Sequence, residues 1–263
     1  MKNGLQFMTW KEIDKAIETD PVVIIPLGSM EQHGPHCPAG DFLICEELAQ
    51  TVAAAAGAYY LPVIPFGYSE YFRCYPGTIS LRQETMSALL RDISISLLEH
   101  DIKKIVFFNG HGGNSTIIEG VARDILREKK IVMGKVEIWQ MISQTTKKDL
   151  YGTSIGLLGH GGDPVTSVMM FRQAENMRMD LCSESKVTAE WEGFAIDRSL
   201  DVILDECRAT MYFDMDRMTC DGMQGDPAVS SAEKGRVLYE EMERHCLAFI
   251  RQLQKSDTVW RER

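Results

Sequence analysis

Short apolar runs alternate along the chain with longer stretches of helical pattern. Four of these runs are bounded by turn residues and are rich in β-branched or aromatic side chains: residues 22–28, 59–67, 103–110 and 135–141. Such runs are typical of strands that are buried on both faces of a sheet. The stretches at 41–57, 82–100 and 114–130 have helical patterns, and the second carries an amphipathic stripe. This alternation predicts an α/β fold with a mostly parallel sheet covered on both faces.

The second half of the chain has a weaker pattern. Residues 163–178 resemble a helix, with an aspartate at the start and a proline in the first turn. Residues 179–226 are polar, and we expect irregular structure there with a strand or two. Helical periodicity returns at 230–254 and predicts a closing helix. Because no repeat, low-complexity tract or linker interrupts the chain, we expect one domain over residues 1–263.

Composition restricts the partners and the compartment. The formal net charge of -10 and the pI near 5.1 argue against nucleic acid and anionic membranes, which bind basic surfaces. Small molecules or other proteins are the expected partners. No stretch approaches the roughly 18 apolar residues of a membrane span, and the N-terminal region lacks an apolar signal-peptide core. The seven cysteines are scattered and form no C-x-x-C pair, which predicts a cytoplasmic protein.

Histidines and carboxylates cluster in loops that follow the predicted strands. Four of the six histidines lie in three glycine-rich loops. In open α/β sheets, ligands bind beyond the carboxyl ends of the strands, so loops that are distant in sequence converge there. The candidate residues are Glu31, His33, His36, Asp41, His111, His160 and Asp163.

The first of these loops, 26–41, has a spacing that suits metal ions. In an extended segment, Glu31 and His33 point to the same side, so both can reach one ion or two neighbouring ions. Imidazole together with carboxylate favours zinc, manganese or iron over calcium or magnesium, which prefer oxygen ligands. The loop therefore predicts a transition-metal site.

Simpler interpretations remain for individual residues. The loop 109–114 resembles a phosphate-binding turn, but it lacks the lysine of a P-loop and the spacing of a dinucleotide fingerprint. Taken alone, His111 or His160 is more often a hydrogen-bonded structural residue than a catalyst. His100 and His245 lie among charged residues on helical patterns, which predicts solvated positions for both.

Five ordered blocks carry a resemblance to a known family. They are PLGSMEQHGPHCPAGD at 26–41, YPGTISL at 75–81, NGHGGN at 109–114, GHGGDPVTS at 159–167 and GMQGDPAVSSAEKG at 222–235. On these blocks the chain is identified as a member of the creatininase (creatinine amidohydrolase) family. The resemblance implies a three-layer α/β/α sandwich around a mostly parallel sheet, a homohexamer, and two divalent ions per subunit, either Zn²⁺, Mn²⁺ or Fe²⁺.

The resemblance also implies roles for individual residues. Glu31, His33, Asp41 and His111 match the metal ligands of the family, with Asp41 as the bridging ligand. His160 matches the catalytic histidine. These assignments are carried over from the family motifs and do not follow from spacing alone.

The chain departs from the family pattern at several positions. Creatininase has a glutamate where this chain has Gly113, and many relatives instead have a glutamate at the position of Asp163. We therefore expect Asp163 to be the remaining metal ligand. One residue fewer precedes Asp41 than in the family, and Val165 replaces the usual glutamate before the Thr-Ser pair.

The function implied by this resemblance is that of a metal-dependent amidohydrolase. A metal-bound hydroxide would hydrolyse a C–N bond in a cyclic amide or formamide of a small polar substrate. One alternative is hydrolysis of a keto-inositol or diketo sugar ring at the same metal centre. Another is a catalytically inactive metal-binding homologue.

Overall fold

A sheet of four parallel strands forms the centre of the computed structural model, which describes residues 2–184, 186–197 and 200–261. The strand order is β2-β1-β3-β4. The strands are β1 (Val22–Leu27), β2 (Tyr59–Tyr60), β3 (Lys104–Asn109) and β4 (Gly134–Glu137). β1 pairs with β3 over its whole length, which brings the carboxyl ends of both strands to the same edge.

Eight α-helices lie in the described residues. They are α1 (Trp10–Ile17), α2 (Phe42–Ala56), α3 (Gln83–Glu99), α4 (Ser115–Lys129), α5 (Gln144–Tyr151), α6 (Val165–Arg172), α7 (Met215–Met218) and α8 (Ala232–Gln254). In the described part of the chain, none of them is long and apolar enough to cross a lipid bilayer.

Side chains from successive residues of β1 enter two separate cores. Val23 and Ile25 pack on one face of the sheet with the apolar stripes of α3 and α4. Val22 and Ile24 pack on the other face with α2, α6 and α8. Full burial of an aliphatic side chain of this size stabilises the fold by about 1.5–3 kcal/mol. The two cores make three layers, which confirms the predicted α/β fold around a parallel sheet.

A second, antiparallel sheet follows α6. It consists of β5 (Glu190–Trp191), β6 (Phe194–Ile196), β7 (Asp201–Leu204) and β8 (Cys207–Thr210), in that order. Its few buried side chains pack with Phe72 and α7. We expected only a strand or two in this region. The strands are short and largely exposed, so their apolar residues do not alternate clearly enough to be recognised.

Two elements are shorter than predicted. Within the run 59–67, only the first two residues form a strand, because Pro62 and Pro65 have no amide hydrogen to donate to a ladder. The helix predicted over 163–178 spans Val165–Arg172 and is followed by a short 3-10 turn. Neither difference moves the loops that carry the candidate site.

Candidate metal centre

The loops that follow β1 and β3 enclose a cavity at the carboxyl edge of the parallel sheet. Its volume is about 480 Å³, which is large enough for a small molecule. The residues lining it include all six that the sequence assigns to metal binding or catalysis: Glu31, His33, Asp41, His111, His160 and Asp163. The convergence of these distant segments at one edge of the sheet therefore agrees with the prediction.

Glu31, His33 and His160 form the tightest group in the cavity. Each offers one ligand atom, and these atoms lie within 4.8 Å of one another. His33 donates from Nδ1 to the backbone carbonyl of Glu31 at 2.9 Å, which leaves the lone pair of its Nε2 free. His160 donates from Nε2 to the carbonyl of Gln32 at 2.7 Å, which leaves its Nδ1 facing Glu31 Oε1 at 3.5 Å.

This group presents electron pairs that the described residues satisfy only in part. Glu31 Oε2 is buried, and no hydrogen-bond partner for it lies among the described residues. Burial raises the pKa of the Glu31 carboxyl to about 7. Converging imidazole nitrogens with a carboxylate are the ligands that transition metals prefer, so a divalent cation fits the group. The backbone hydrogen bonds behind both imidazoles are those that orient metal ligands in other proteins.

Asp41 and His111 form a second group that shares Glu31 with the first. His111 Nδ1 lies 2.9 Å from Asp41 Oδ2, and its Nε2 lies 3.6 Å from Glu31 Oε2. Nε2 also lies 2.9 Å from the carbonyl of Tyr68. Burial by itself would lower the pKa of His111, but the carboxylates of Glu31 and Asp41 raise it to about 9. The positive imidazole thus balances the two acids when no cation is bound. Because a histidine binds a metal only in its neutral form, a cation at this group would displace that proton.

Asp41 owes its position to the turn between β1 and α2. It stands immediately before α2, but its side chain does not cap that helix. Instead, Oδ1 accepts a hydrogen bond from the amide of Ser29 at 2.6 Å. A Cβ at Gly28 would lie 2.3 Å from the same oxygen, so this approach requires glycine. The residue missing from the family spacing does not prevent Asp41 from reaching His111.

The imidazole of His160 is held between two other rings. Phe72 stacks on it with a centroid distance of 4.0 Å, and His33 lies on the other side at 4.6 Å. Burial, with the nearby His33, keeps the pKa of His160 well below its usual range. Phe72, at the end of a short 3-10 helix, could not be recognised beforehand, because a phenylalanine outside a motif has no chemical pattern of its own.

His36 stays outside the two groups. It is buried, and its Nε2 lies 3.1 Å from the hydroxyl of Thr166 at the start of α6. Its backbone carbonyl accepts a hydrogen bond from the amide of Arg178. These contacts tie the first loop to the region around α6, which is a structural role.

The sequence predicts Asp163 as the remaining metal ligand, and the structure shows which groups its carboxylate contacts. The structure uses both of its oxygens in hydrogen bonds that are unrelated to the other ligands. They accept from the Tyr151 hydroxyl at 2.6 Å, the Ser167 hydroxyl at 2.7 Å, the Ser167 amide at 2.8 Å and the Ser230 hydroxyl at 2.7 Å. This saturated carboxylate links α5, α6 and the segment before α8, and its geometry supports an anchoring role.

We therefore expect Asp163→Asn to lower stability without lowering metal content. The new amide would replace one of the two accepting oxygens by a donor, so the groups that donate to that oxygen would lose their acceptor, at a cost of about 2–3 kcal/mol. Chemical unfolding measures this cost, and mass spectrometry measures the metal per subunit. Asp149→Asn, an exposed site on α5, is the matched control and should change neither. Loss of metal with unchanged stability would restore Asp163 as a ligand.

The structure also explains why Gly113 has no larger side chain. A Cβ at this position would lie 2.0 Å from the carbonyl of Tyr68 and 2.7 Å from His111 Nε2. The glutamate that creatininase has here cannot be accommodated without moving the backbone around Tyr68. The chain therefore lacks a side-chain ligand at Gly113.

A family model described as Creatininase: Creatinine amidohydrolase matches residues 6–250. Among curated relatives, creatinine amidohydrolase from Pseudomonas putida is 31% identical over 62% of this chain and 69% of its own. Mycofactocin precursor peptide peptidase from Mycobacterium ulcerans is 28% identical over 88% of this chain and 85% of its own. The 3-dehydro-scyllo-inosose hydrolase of Thermotoga maritima is 32% identical over 41% of this chain and 35% of its own.

Solved structures of similar fold include two forms of creatininase. A manganese form is 25% identical, with a TM-score of 0.79, and the match covers 96% of this chain and 98% of that chain. A mutant of Zn–Zn type is 24% identical, with a TM-score of 0.80, and the match also covers 96% of this chain and 98% of that chain. These matches extend over nearly all of the chain, including both groups of the cavity.

Proposed function

Because the chain belongs to the creatininase (creatinine amidohydrolase) family, we propose that it is a metal-dependent hydrolase of a carbon–nitrogen bond. The substrate we propose is a cyclic amide or formamide of a small polar molecule. The observation that carries the proposal is a group of ligand atoms in one cavity: a buried oxygen of Glu31 that has no described hydrogen-bond partner, together with His33, Asp41 and His111. Such a group gains stability when a cation occupies it.

Four side chains would hold the metal. Glu31 belongs to both groups, His33 to the first, and Asp41 and His111 to the second. Two adjacent groups of ligand atoms support two neighbouring divalent ions, for which zinc, manganese and iron suit the ligands. When bound, the ions would supply a Lewis acid for the substrate carbonyl and activate a water molecule.

His160 has the geometry of a proton carrier for this reaction. Its Nε2 proton is fixed on the carbonyl of Gln32, so Nδ1 is the atom free to accept a proton and pass it to the departing nitrogen. The rings of Phe72 and His33 prevent the imidazole from turning away. Phe72 also lines the cavity, where it excludes water from the reacting atoms.

The other chemistries of the family give the alternatives. The Thermotoga maritima relative is named as an inosose hydrolase, which supports a keto-inositol ring as a second substrate class for the same centre. A metal-binding homologue without turnover is the third candidate.

From the resemblance to the creatininase family, we propose that residues 1–263 fold as one domain and that the subunits assemble as a homohexamer. Light scattering can test the number of subunits.

A substrate panel tests the proposed reaction. Protein purified without chelators should hydrolyse at least one cyclic amide or formamide, and it should lose this activity on chelation and recover it when Zn²⁺ or Mn²⁺ is returned. The loss follows because the proposed nucleophile depends on the ions. Turnover of keto-inositols alone would select the second candidate. No turnover by the metal-loaded protein on any member would favour the inactive homologue.

A further inference from the structure

Lys147 lies in the wall of the cavity. The lining contains six histidines and carboxylates, which we assign to the metal centre or to the Asp163 network. Within the part of the chain that the structure describes, Lys147 is the only lysine or arginine of this lining. Lys147 is on α5 and is half-buried, whereas the next residue, Lys148, is exposed. The two lysines thus have the same charge and adjacent positions but different surroundings.

The ammonium of Lys147 has no partner among the described residues. No described carboxylate lies within 4.0 Å of it, and no described hydrogen-bond acceptor is in range. Other half-buried lysines among the described residues do have partners: Lys103 pairs with Asp101 at 3.1 Å, and Lys234 donates to a backbone carbonyl. An ammonium that has no partner within the protein is available to an anionic group that enters the cavity from outside.

The wall of the same cavity also contains an aromatic ring with a fixed position. Trp139 also lines the cavity, and its indole Nε1 donates to the carbonyl of Gly110 at 2.6 Å. This bond fixes the ring beside the loop that carries His111. A small substrate whose reacting carbonyl lies at the carboxylate–histidine groups would share the cavity with the Trp139 ring and with Lys147.

We propose that Lys147 binds a carboxylate of the substrate, so that the enzyme acts on N-acyl or cyclic amides that carry a carboxyl group. The inference rests on the proposed hydrolase function for the location of the reacting bond. A lysine paired with a carboxylate is a charge-assisted hydrogen bond, one of the stronger polar contacts in proteins. It would select acids over the corresponding neutral amides.

Matched substrates and matched variants test this role. N-formyl-L-alanine and N-formyl-L-alaninamide differ only in the carboxylate. The wild-type enzyme should have a higher kcat/KM for the acid, and Lys147→Met should reduce this preference by about 10-fold or more. Lys147→Arg should retain part of it, and Lys148→Met should retain all of it. An unchanged preference in Lys147→Met would overturn the proposal.

A binding measurement separates this inference from the hydrolase function. Calorimetry with succinate and the metal-loaded protein requires no turnover. We expect Lys147→Met to weaken succinate binding by about 10-fold or more, with Lys148→Met equal to wild type. Equal binding, or equal absence of binding, in wild type and Lys147→Met would reject the carboxylate site. Weaker succinate binding without hydrolysis of either formyl compound would support Lys147 while counting against the proposed reaction.

Discussion

Replacing Glu31 by glutamine is expected to remove the bound metal and to lower kcat/KM for hydrolysis by more than about 100-fold. Mutating a residue that only orients a metal ligand typically costs about 10- to 100-fold, and a ligand itself should cost more. Glu31 is the one residue that both groups of the cavity share. The new amide would also direct a proton donor toward the free nitrogens of the imidazoles. Metal per subunit and kcat/KM should therefore fall together.

The same variant should fold at least as well as wild type when no metal is present. The carboxylate of Glu31 is buried, and its pKa of about 7 means that its charged form is poorly accommodated in the empty site. A neutral glutamine of the same size avoids this cost. Chemical unfolding in the presence of chelator measures the effect, and Glu99→Gln on the exposed side of α3 is the control. Retained metal in Glu31→Gln would contradict the assignment.

Removing the imidazole of His160 is expected to lower turnover by about 100- to 10,000-fold, the range for a general acid or base. Metal content should remain nearly intact, because Glu31, His33, Asp41 and His111 stay in place. His160→Ala opens a gap between Phe72 and His33 that is the size of the lost ring. Added imidazole should enter this gap and restore part of the activity.

A comparison with another histidine isolates the effect of position. His245 lies on α8 and its Nδ1 donates to the carbonyl of Met141, outside the lining of the cavity. His245→Ala should keep full turnover. If His160→Ala loses metal as well as turnover, His160 is a ligand that completes the group with Glu31 and His33, and its role as proton carrier would be rejected.

The central strands and the site loops could be predicted from residue types. Buried strands are runs of apolar residues, and the candidate ligands are histidines and carboxylates. The residues of β1 and β3 are buried, so nearly every side chain in them is apolar and the strands are evident. Parallel strands bring their carboxyl ends to one edge, and this alone places the loop with His111 next to the loop with Glu31. The prediction needed no knowledge of side-chain positions.

Features that depend on orientation were not predictable in the same way. The sequence contains an aspartate at 163 but does not say that three hydroxyl groups, from Tyr151, Ser167 and Ser230, will bind it. The stacking of Phe72 on His160 joins segments that are far apart in the chain and have no shared pattern. Lys147 and Lys148 look equivalent in the sequence, and only the folded chain distinguishes the lining residue from the exposed one.

The metal content of the wild-type protein is the decisive measurement for the metal-dependent mechanism. Purification without chelators, followed by mass spectrometry of metals, should give about two equivalents of zinc, manganese or iron per subunit. Activity should disappear when these ions are removed and return when they are restored. A protein that carries no transition metal after growth and purification in its presence, or that hydrolyses its substrate fully in chelator, would contradict the metal-dependent mechanism.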